Sequence, residues 1–129
     1  MALIVLDASV VIAFLDAGDA HHQAALSALN ETHADDRVLP ASAYAEVLVA
    51  PTRRGNEHIA KVDQALSAIA VRVEPVTREI AKIAARLRAR HTSLRLPDAL
   101  VLATGEVLDG TVITADRRWL KVSARARAL

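Results

Sequence analysis

Cysteine is absent from the 129-residue chain, and its aromatic residues are one Phe, one Tyr and one Trp. Without cysteine the chain cannot form disulfides, thiolate metal sites, iron–sulfur clusters or cysteine nucleophiles, so any metal must be bound by oxygen or histidine. The shortage of aromatic rings excludes the base-stacking surfaces on which many single-strand-binding proteins rely. A reducing compartment suits such a chain, and we expect a cytoplasmic location.

Long apolar runs are also missing. No run approaches the roughly 18 residues that a membrane span requires. The first residues lack the basic segment and apolar core of a secretion signal. We therefore expect a soluble protein with no membrane association. The length suits one domain, residues 1–129, that buries enough apolar surface to fold without covalent cross-links.

Net charge is only +1, but the two signs are unevenly distributed along the chain. Residues 1–50 hold seven acids and one base, which gives −6, whereas residues 51–129 hold eight acids and fifteen bases, which gives +7. This asymmetry favours an acidic centre with basic residues around it, a surface suited to a polyanion bound through metal ions. For any single Arg, a solvated helix face is the simpler interpretation.

Apolar runs and helical periodicities alternate along the sequence. The runs predict strands at residues 2–6, 37–39, 71–76 and 111–114, with a further edge strand at 121–123. Helices are predicted between them, at 8–15, from Asp19 as N-cap, from Pro40 to an interruption at Pro51, at 56–70, after Thr77, and from Pro97 to Asp109. This order predicts an α/β fold with a parallel central sheet of four or five strands and helices on both faces.

Four isolated carboxylates stand out in this pattern. Asp7 is the only charged residue among residues 1–15, Glu46 among 38–51, and Asp98 among 96–105, while Asp116 follows the strand at 111–114. The crevice of a parallel α/β sheet lies beyond the carboxyl ends of its strands, where Asp7 and Asp116 are predicted to lie. Glu46 and Asp98 are predicted in two buried helices. Isolated buried carboxylates are costly unless they are paired, hydrogen-bonded, protonated or bound to a metal.

A shared divalent cation would satisfy all four acids, because Mg²⁺ and Mn²⁺ prefer carboxylate oxygens together with substrate phosphate. A pair of such ions can support phosphodiester hydrolysis. Each acid also has a simpler explanation. Asp7 and Asp116 are possible helix caps, and Asp98 follows Pro97 at a favourable helix N-terminus. Glu46 has no cap to form, and the set of four is harder to explain in this way.

The residues that carry these acids resemble PIN-domain ribonucleases. The similarity lies in an ordered set of segments: Ile4-Val5-Leu6-Asp7-Ala8-Ser9-Val10, the Glu46 helix, Leu96-Pro97-Asp98-Ala99-Leu100 and Thr114-Ala115-Asp116-Arg117-Arg118-Trp119. Order and spacing match over nearly the whole chain. The compact length is most similar to the VapC-type toxins of bacterial toxin–antitoxin pairs.

The resemblance implies a single PIN-like domain with three α/β/α layers that acts as a Mg²⁺- or Mn²⁺-dependent endoribonuclease. Asp7, Glu46, Asp98 and Asp116 would bind the metal, and a metal-activated water would hydrolyse the RNA. Ser9 and Thr114 match the small hydroxyl positions of the family and would support the carboxylates, although Ser9 could simply cap a helix. The implied partners are the RNA substrate, a cognate VapB-type antitoxin with a basic tail and a second copy of the chain in a homodimer. Trp119 is interpreted as core packing.

Other classes fit less well. A haloacid dehalogenase-like phosphatase expects a second Asp two residues after the first, where this chain has Ser9. A response-regulator receiver expects paired acids at the first strand and a late lysine. A non-catalytic PIN-fold module that binds RNA or protein remains an alternative, but a pure binder has no need to concentrate acids where phosphate approaches.

Overall fold

A parallel five-stranded sheet forms the centre of the computed structural model, which describes residues 2–129, with the strand order β3-β2-β1-β4-β5. Six α-helices and one 3₁₀ helix accompany the sheet in this range. The strands are β1 (Leu3–Leu6), β2 (Asp36–Pro40), β3 (Val71–Glu74), β4 (Thr111–Thr114) and β5 (Ala126–Ala128). The helices are α1 (Ala8–Leu15), α2 (His22–Glu31), α3 (Ala41–Arg54), α4 (Asn56–Ala68), α5 (Arg78–Arg90), α6 (Leu96–Val107) and the 3₁₀ helix Arg117–Lys121.

The core is built from aliphatic side chains of the central strands and the helices that cover them. Val5, Leu6 and Val112 of β1 and β4 are fully buried, because neighbouring strands flank them and helices pack against them. Helix α6 packs against β1, β2 and β4, and α5 packs on α6. At Gly105 of α6 a Cβ atom would lie 2.4 Å from Cγ2 of Val112, so glycine is required for this close approach. The predicted three-layer parallel α/β fold is confirmed.

The strand order places a topological switch point between β1 and β4. From β1 the chain proceeds to β2 and β3 on one side, and then crosses to β4 and β5 on the other. Connections leave β1 and β4 in opposite directions, so a crevice opens between their carboxyl ends. Asp7 immediately follows β1, and Asp116 lies two residues after β4. The fold therefore brings these two residues to its most favourable position for a binding site.

Several predicted boundaries are wrong. Helix α3 continues through Pro51 to Arg54, because a proline in the last turn costs the helix only one backbone hydrogen bond. Helix α2 begins at His22, and Asp19 instead accepts a hydrogen bond from the backbone N–H of His21 in the preceding turn. Residues 121–123, predicted as an edge strand, end the 3₁₀ helix and its turn, and the edge strand lies at Ala126–Ala128. Thr77 caps α5 as predicted, by accepting from the backbone N–H of Ile80.

Arg37 connects the sheet to the ends of two helices. Its guanidinium donates to the carbonyl oxygen of Leu29 over 2.7 Å and to that of Ile69. These carbonyls belong to the C-terminal ends of α2 and α4, where orphan acceptors collect and a cation is favoured. Burial lowers the pKa of Arg37, but an arginine stays charged in proteins.

Over residues 2–129, every helix falls short of the length and apolarity that a membrane crossing demands.

Candidate functional site

Asp7 is the most constrained of the four predicted site residues. It is 8% exposed and caps α1, with Oδ1 accepting from the backbone N–H of Ala8 over 2.8 Å. Oδ2 accepts from the hydroxyl of Ser9 over 2.7 Å and from that of Thr114 over 2.9 Å. Burial raises the pKa of Asp7, as does the charge of Asp98, while these hydrogen bonds oppose the increase. The carboxylate is therefore held in one orientation at the crevice.

The two hydroxyls also fix the loop that follows β4. Ser9 Oγ accepts from the backbone N–H of Ala115 over 3.0 Å, and Thr114 Oγ1 accepts from the backbone N–H of Asp116 over 3.0 Å. Each hydroxyl thus donates to Asp7, which follows β1, and accepts from a backbone N–H of the loop that follows β4. This network, Asp7 with Ser9, Thr114 and the backbone of residues 115 and 116, couples the two sides of the switch point.

Asp116 caps the 3₁₀ helix and forms an ion pair with Arg118. Its Oδ1 accepts from the backbone N–H and from Nε of Arg118, over 3.0 and 2.9 Å, and its Oδ2 accepts from Nη2 over 2.6 Å. The hydrogen bond from the Arg118 side chain is the main reason why the pKa of Asp116 is lowered, although partial burial opposes this. The capping role considered from the sequence is thus present, together with an ion pair that was not predicted.

Asp98 and Glu46 reach the crevice from α6 and α3. Asp98 lies in the first turn of α6, its side chain is 13% exposed, and Nη2 of Arg95 lies 3.4 Å from its Oδ1. Glu46 is exposed. This corrects the prediction that α3 is a buried helix, because only Ala43 and Val47 are buried in it. Partial burial raises the pKa of Glu46, and repulsion from Asp7 and Asp98 adds to this.

These effects indicate that Asp7, Glu46 and Asp98 lie near one another, and the position of Asp116 two residues after β4 brings it to the same edge of the sheet. Asp98 acts on the pKa of both Asp7 and Glu46, and Asp98 and Asp116 line the same small cleft of about 70 Å³. As oriented, however, no three His, Asp or Glu side chains of residues 2–129 form a group that could bind one metal ion. Two of the acids are turned towards Arg95 and Arg118 instead. The donors are all carboxylate and hydroxyl oxygens, the set that suits Mg²⁺ or Mn²⁺.

From the sequence, the arginines near these acids are expected only as a general basic rim. The spacing indicates only one of these pairs. Arg95 precedes Asp98 by three residues, whereas Arg118 follows Asp116 by two, a spacing at which helical side chains do not face each other. A groove of about 430 Å³ between α1, α3 and α4 was also not predicted from the sequence. Apolar side chains line much of the groove, and Glu46 lies in its wall. Trp119 is 2% exposed, as expected for a residue of the core.

These observations define a class of protein: an all-parallel α/β fold with a cluster of carboxylate and hydroxyl oxygens at its switch point. The family model described as PIN domain matches residues 4–125. The chain belongs to the PIN domain family. This membership excludes the phosphatase and receiver alternatives.

Solved structures with the same fold come from several bacteria. A toxin–antitoxin complex from Klebsiella pneumoniae is 23% identical with a TM-score of 0.76, over 98% of this chain and 96% of the other. VapBC2 from Rickettsia felis, bound to a DNA fragment from its promoter, is 11% identical with a TM-score of 0.80, over 98% of both chains. VapC20 from Mycobacterium tuberculosis, a toxin that cleaves the sarcin–ricin loop, is 22% identical with a TM-score of 0.71, over 93% and 95%. No curated protein matches the sequence.

Proposed function

We propose that the chain is a Mg²⁺- or Mn²⁺-dependent endoribonuclease and the toxin of a VapBC-type toxin–antitoxin pair. The observation that carries the proposal is the approach of Asp7, Glu46, Asp98 and Asp116, from four separate elements, to one edge of the sheet, with Asp7 fixed by Ser9 and Thr114. Like charges repel each other there, and a divalent cation relieves that repulsion. The likeness to toxin structures supports the biological setting.

The four carboxylates would bind the cations, which supply activation of the attacking water and stabilisation of the leaving oxygen when bound. The chain's own residues determine the geometry of the site. The network around Asp7 keeps that carboxylate in place without rearrangement, which is what an efficient site requires. Thr114 also holds the backbone of Asp116, so that the two strand ends stay in register.

RNA would approach along a basic stripe on α5. The stripe consists of four exposed residues at four-residue spacing, namely Arg78, Lys82, Arg86 and Arg90. Residues 91–95 lead from its last member into α6, where Asp98 lies. Side chains four residues apart lie close together on a helix surface. A row of basic side chains there binds a phosphate backbone without sequence preference.

The antitoxin would bind the groove between α1, α3 and α4. Ile12 and Leu15 in its wall are 39% and 38% exposed, so apolar surface is accessible to a partner there. Glu46 connects the groove to the acidic crevice, so that a basic tail lying in the groove could reach the carboxylates. The homodimer implied by the family resemblance is a further expectation, checked by light scattering of the purified chain.

The nuclease proposal is tested with purified chain on mixed single-stranded RNA, with added Mn²⁺ or with excess chelator. Cleavage should require the ion, and Asp98→Asn should reduce it by about 100-fold or more. Glu106→Gln is the matched control, because Glu106 is an exposed acid of the same helix. Mn²⁺ should also raise the unfolding temperature of the wild type by binding the folded state. Full activity in chelator would refute the metal mechanism, and inactivity on any RNA would favour the non-catalytic binding module.

A further inference from the structure

Arg118 occupies both oxygens of a carboxylate that the proposed function assigns to metal binding. Nε and Nη2 approach Oδ1 and Oδ2 of Asp116 over 2.9 and 2.6 Å, in the parallel geometry of a bidentate guanidinium–carboxylate pair. A divalent cation that uses Asp116 must compete with this guanidinium. The ion pair is therefore part of the energetics of metal binding.

The pair is also easy to separate. The Arg118 side chain is 87% exposed, and exposed ion pairs contribute little to stability because water and salt screen them. Asp116 keeps its backbone hydrogen bonds whether or not the side chain of Arg118 leaves. Arg118 can thus move away without disturbing the carboxylate.

Further charged groups lie close to Arg118. Asp98 and Asp116 line the cleft beside it, and Arg95, paired with Asp98, acts electrostatically on both Arg118 and Asp116. Once a cation neutralises these carboxylates, a guanidinium at the rim of the cleft would lie beside the phosphate brought to the same cation. A planar guanidinium binds phosphate in the same two-donor manner as it binds carboxylate.

We propose that Arg118 alternates between two anions: it pairs with Asp116 in the metal-free chain and binds a phosphate of the RNA once a cation takes that carboxylate. This inference rests on the proposed nuclease function and adds a substrate-binding residue to it. Arg118 would weaken cation binding modestly in the absence of substrate and contribute to RNA binding when both cation and substrate are present.

The test compares Arg118→Gln with Arg117→Gln, because Arg117 is the adjacent exposed arginine of the same 3₁₀ helix and has no ion pair among the described residues. Calorimetric titration with Mn²⁺ alone should give a roughly 3-fold tighter Kd for Arg118→Gln, since the competing cation is gone. At saturating Mn²⁺ the same variant should show a KM for RNA raised about 10-fold, since a charged hydrogen-bond partner of phosphate is lost. Arg118→Lys should show a smaller increase in KM than Arg118→Gln, because it keeps the positive charge.

Arg117→Gln should change each quantity by less than about 2-fold, because it alters only the general field. An unchanged Mn²⁺ affinity or an unchanged KM in Arg118→Gln would overturn the proposal. A wild type that cleaves RNA with Mn²⁺ while the two variants behave alike refutes the role of Arg118 only. A wild type that neither binds Mn²⁺ nor cleaves RNA refutes the proposed function itself.

Discussion

Asp7 is a buried carboxylate that receives three hydrogen bonds and nevertheless has a raised pKa. Burial is the largest cause, and the charge of Asp98 acts in the same direction. A carboxyl group whose pKa is higher in the folded chain binds its proton more tightly there. The folded state therefore loses relative stability as the pH rises from the ordinary value of 3.8 through the raised pKa. Glu46 contributes with the same sign.

Asp7→Asn removes this penalty while leaving an oxygen that can accept from Ser9 or Thr114. Without metal, we expect the variant at neutral pH to unfold at the same temperature as the wild type or a higher one. The difference should disappear at a pH below the ordinary value of the carboxyl. Calorimetric scans across pH measure this, with Glu106→Gln as the exposed control. An unfolding temperature well below that of the wild type at neutral pH would show that Asp7 stabilises the fold.

Asp116 shows the opposite electrostatic behaviour. Its pKa is lowered, first by the Arg118 side chain, so the stability it contributes is present above pH 3.8 and is lost as the pH falls through the lowered pKa. The pair is too exposed to contribute much. At the residue scale, a cation would relieve the raised pKa of Asp7 and Glu46, and it would have to compete with an arginine for Asp98 and Asp116.

At the scale of elements, Arg37 ties α2 and α4 to β2 through two helix-end carbonyls. Arg37→Met should lower the free energy of unfolding by about 2–4 kcal/mol, because it leaves buried acceptors without partners. Arg72→Met on the neighbouring strand β3 is the control, since that side chain is 55% exposed. Urea unfolding followed by circular dichroism compares the two variants. Equal losses would indicate that Arg37 contributes only through the apolar part of its side chain.

The elements differ in how well the sequence predicts them. Central strands such as β1 and β4 are continuous aliphatic runs, and burial on both faces requires that pattern, so they were predicted almost to the residue. Strand β5 has only three residues and exposes Arg127, so its pattern is too short to separate from the turn before it. The acids that follow the strands were predictable from topology. The pairing of Asp116 with Arg118 was not, because it depends on side-chain orientation in three dimensions.

Helix α5 is the element that concentrates exposed positive charge. Arg86→Gln should weaken RNA binding and reduce the slope of log affinity against log salt by roughly 0.7, the value for one contact with a single strand. Arg127→Gln on β5 removes the same charge outside the stripe and should leave the slope unchanged. Filter binding in the presence of chelator, over a series of salt concentrations, gives both slopes. An effect of similar size in both variants would argue against a defined path along α5.

At the scale of the whole molecule, the charge asymmetry of the sequence becomes a spatial arrangement. Asp7, Glu46, Asp98 and Asp116 lie at one edge of the sheet, and the basic residues of α5 lie on a helix packed beside α6. The apolar groove between α1, α3 and α4 opens beside Glu46. Under the proposed function, substrate and partner would use different surfaces that both lead to the same carboxylates.

This arrangement makes the partner separable from catalysis by mutation. Expression of the wild type alone should arrest growth, and co-expression of the neighbouring gene should relieve the arrest. Leu15→Glu places a charge in the groove and should abolish that relief while RNA cleavage by the purified chain continues. Val49→Glu, on an exposed residue of α3 outside the groove lining, should still be rescued. Equal rescue of both variants would exclude the groove as the docking surface. Harmless expression of a wild type that cleaves RNA, with no neighbour that binds it, would refute the toxin assignment and leave the nuclease assignment intact.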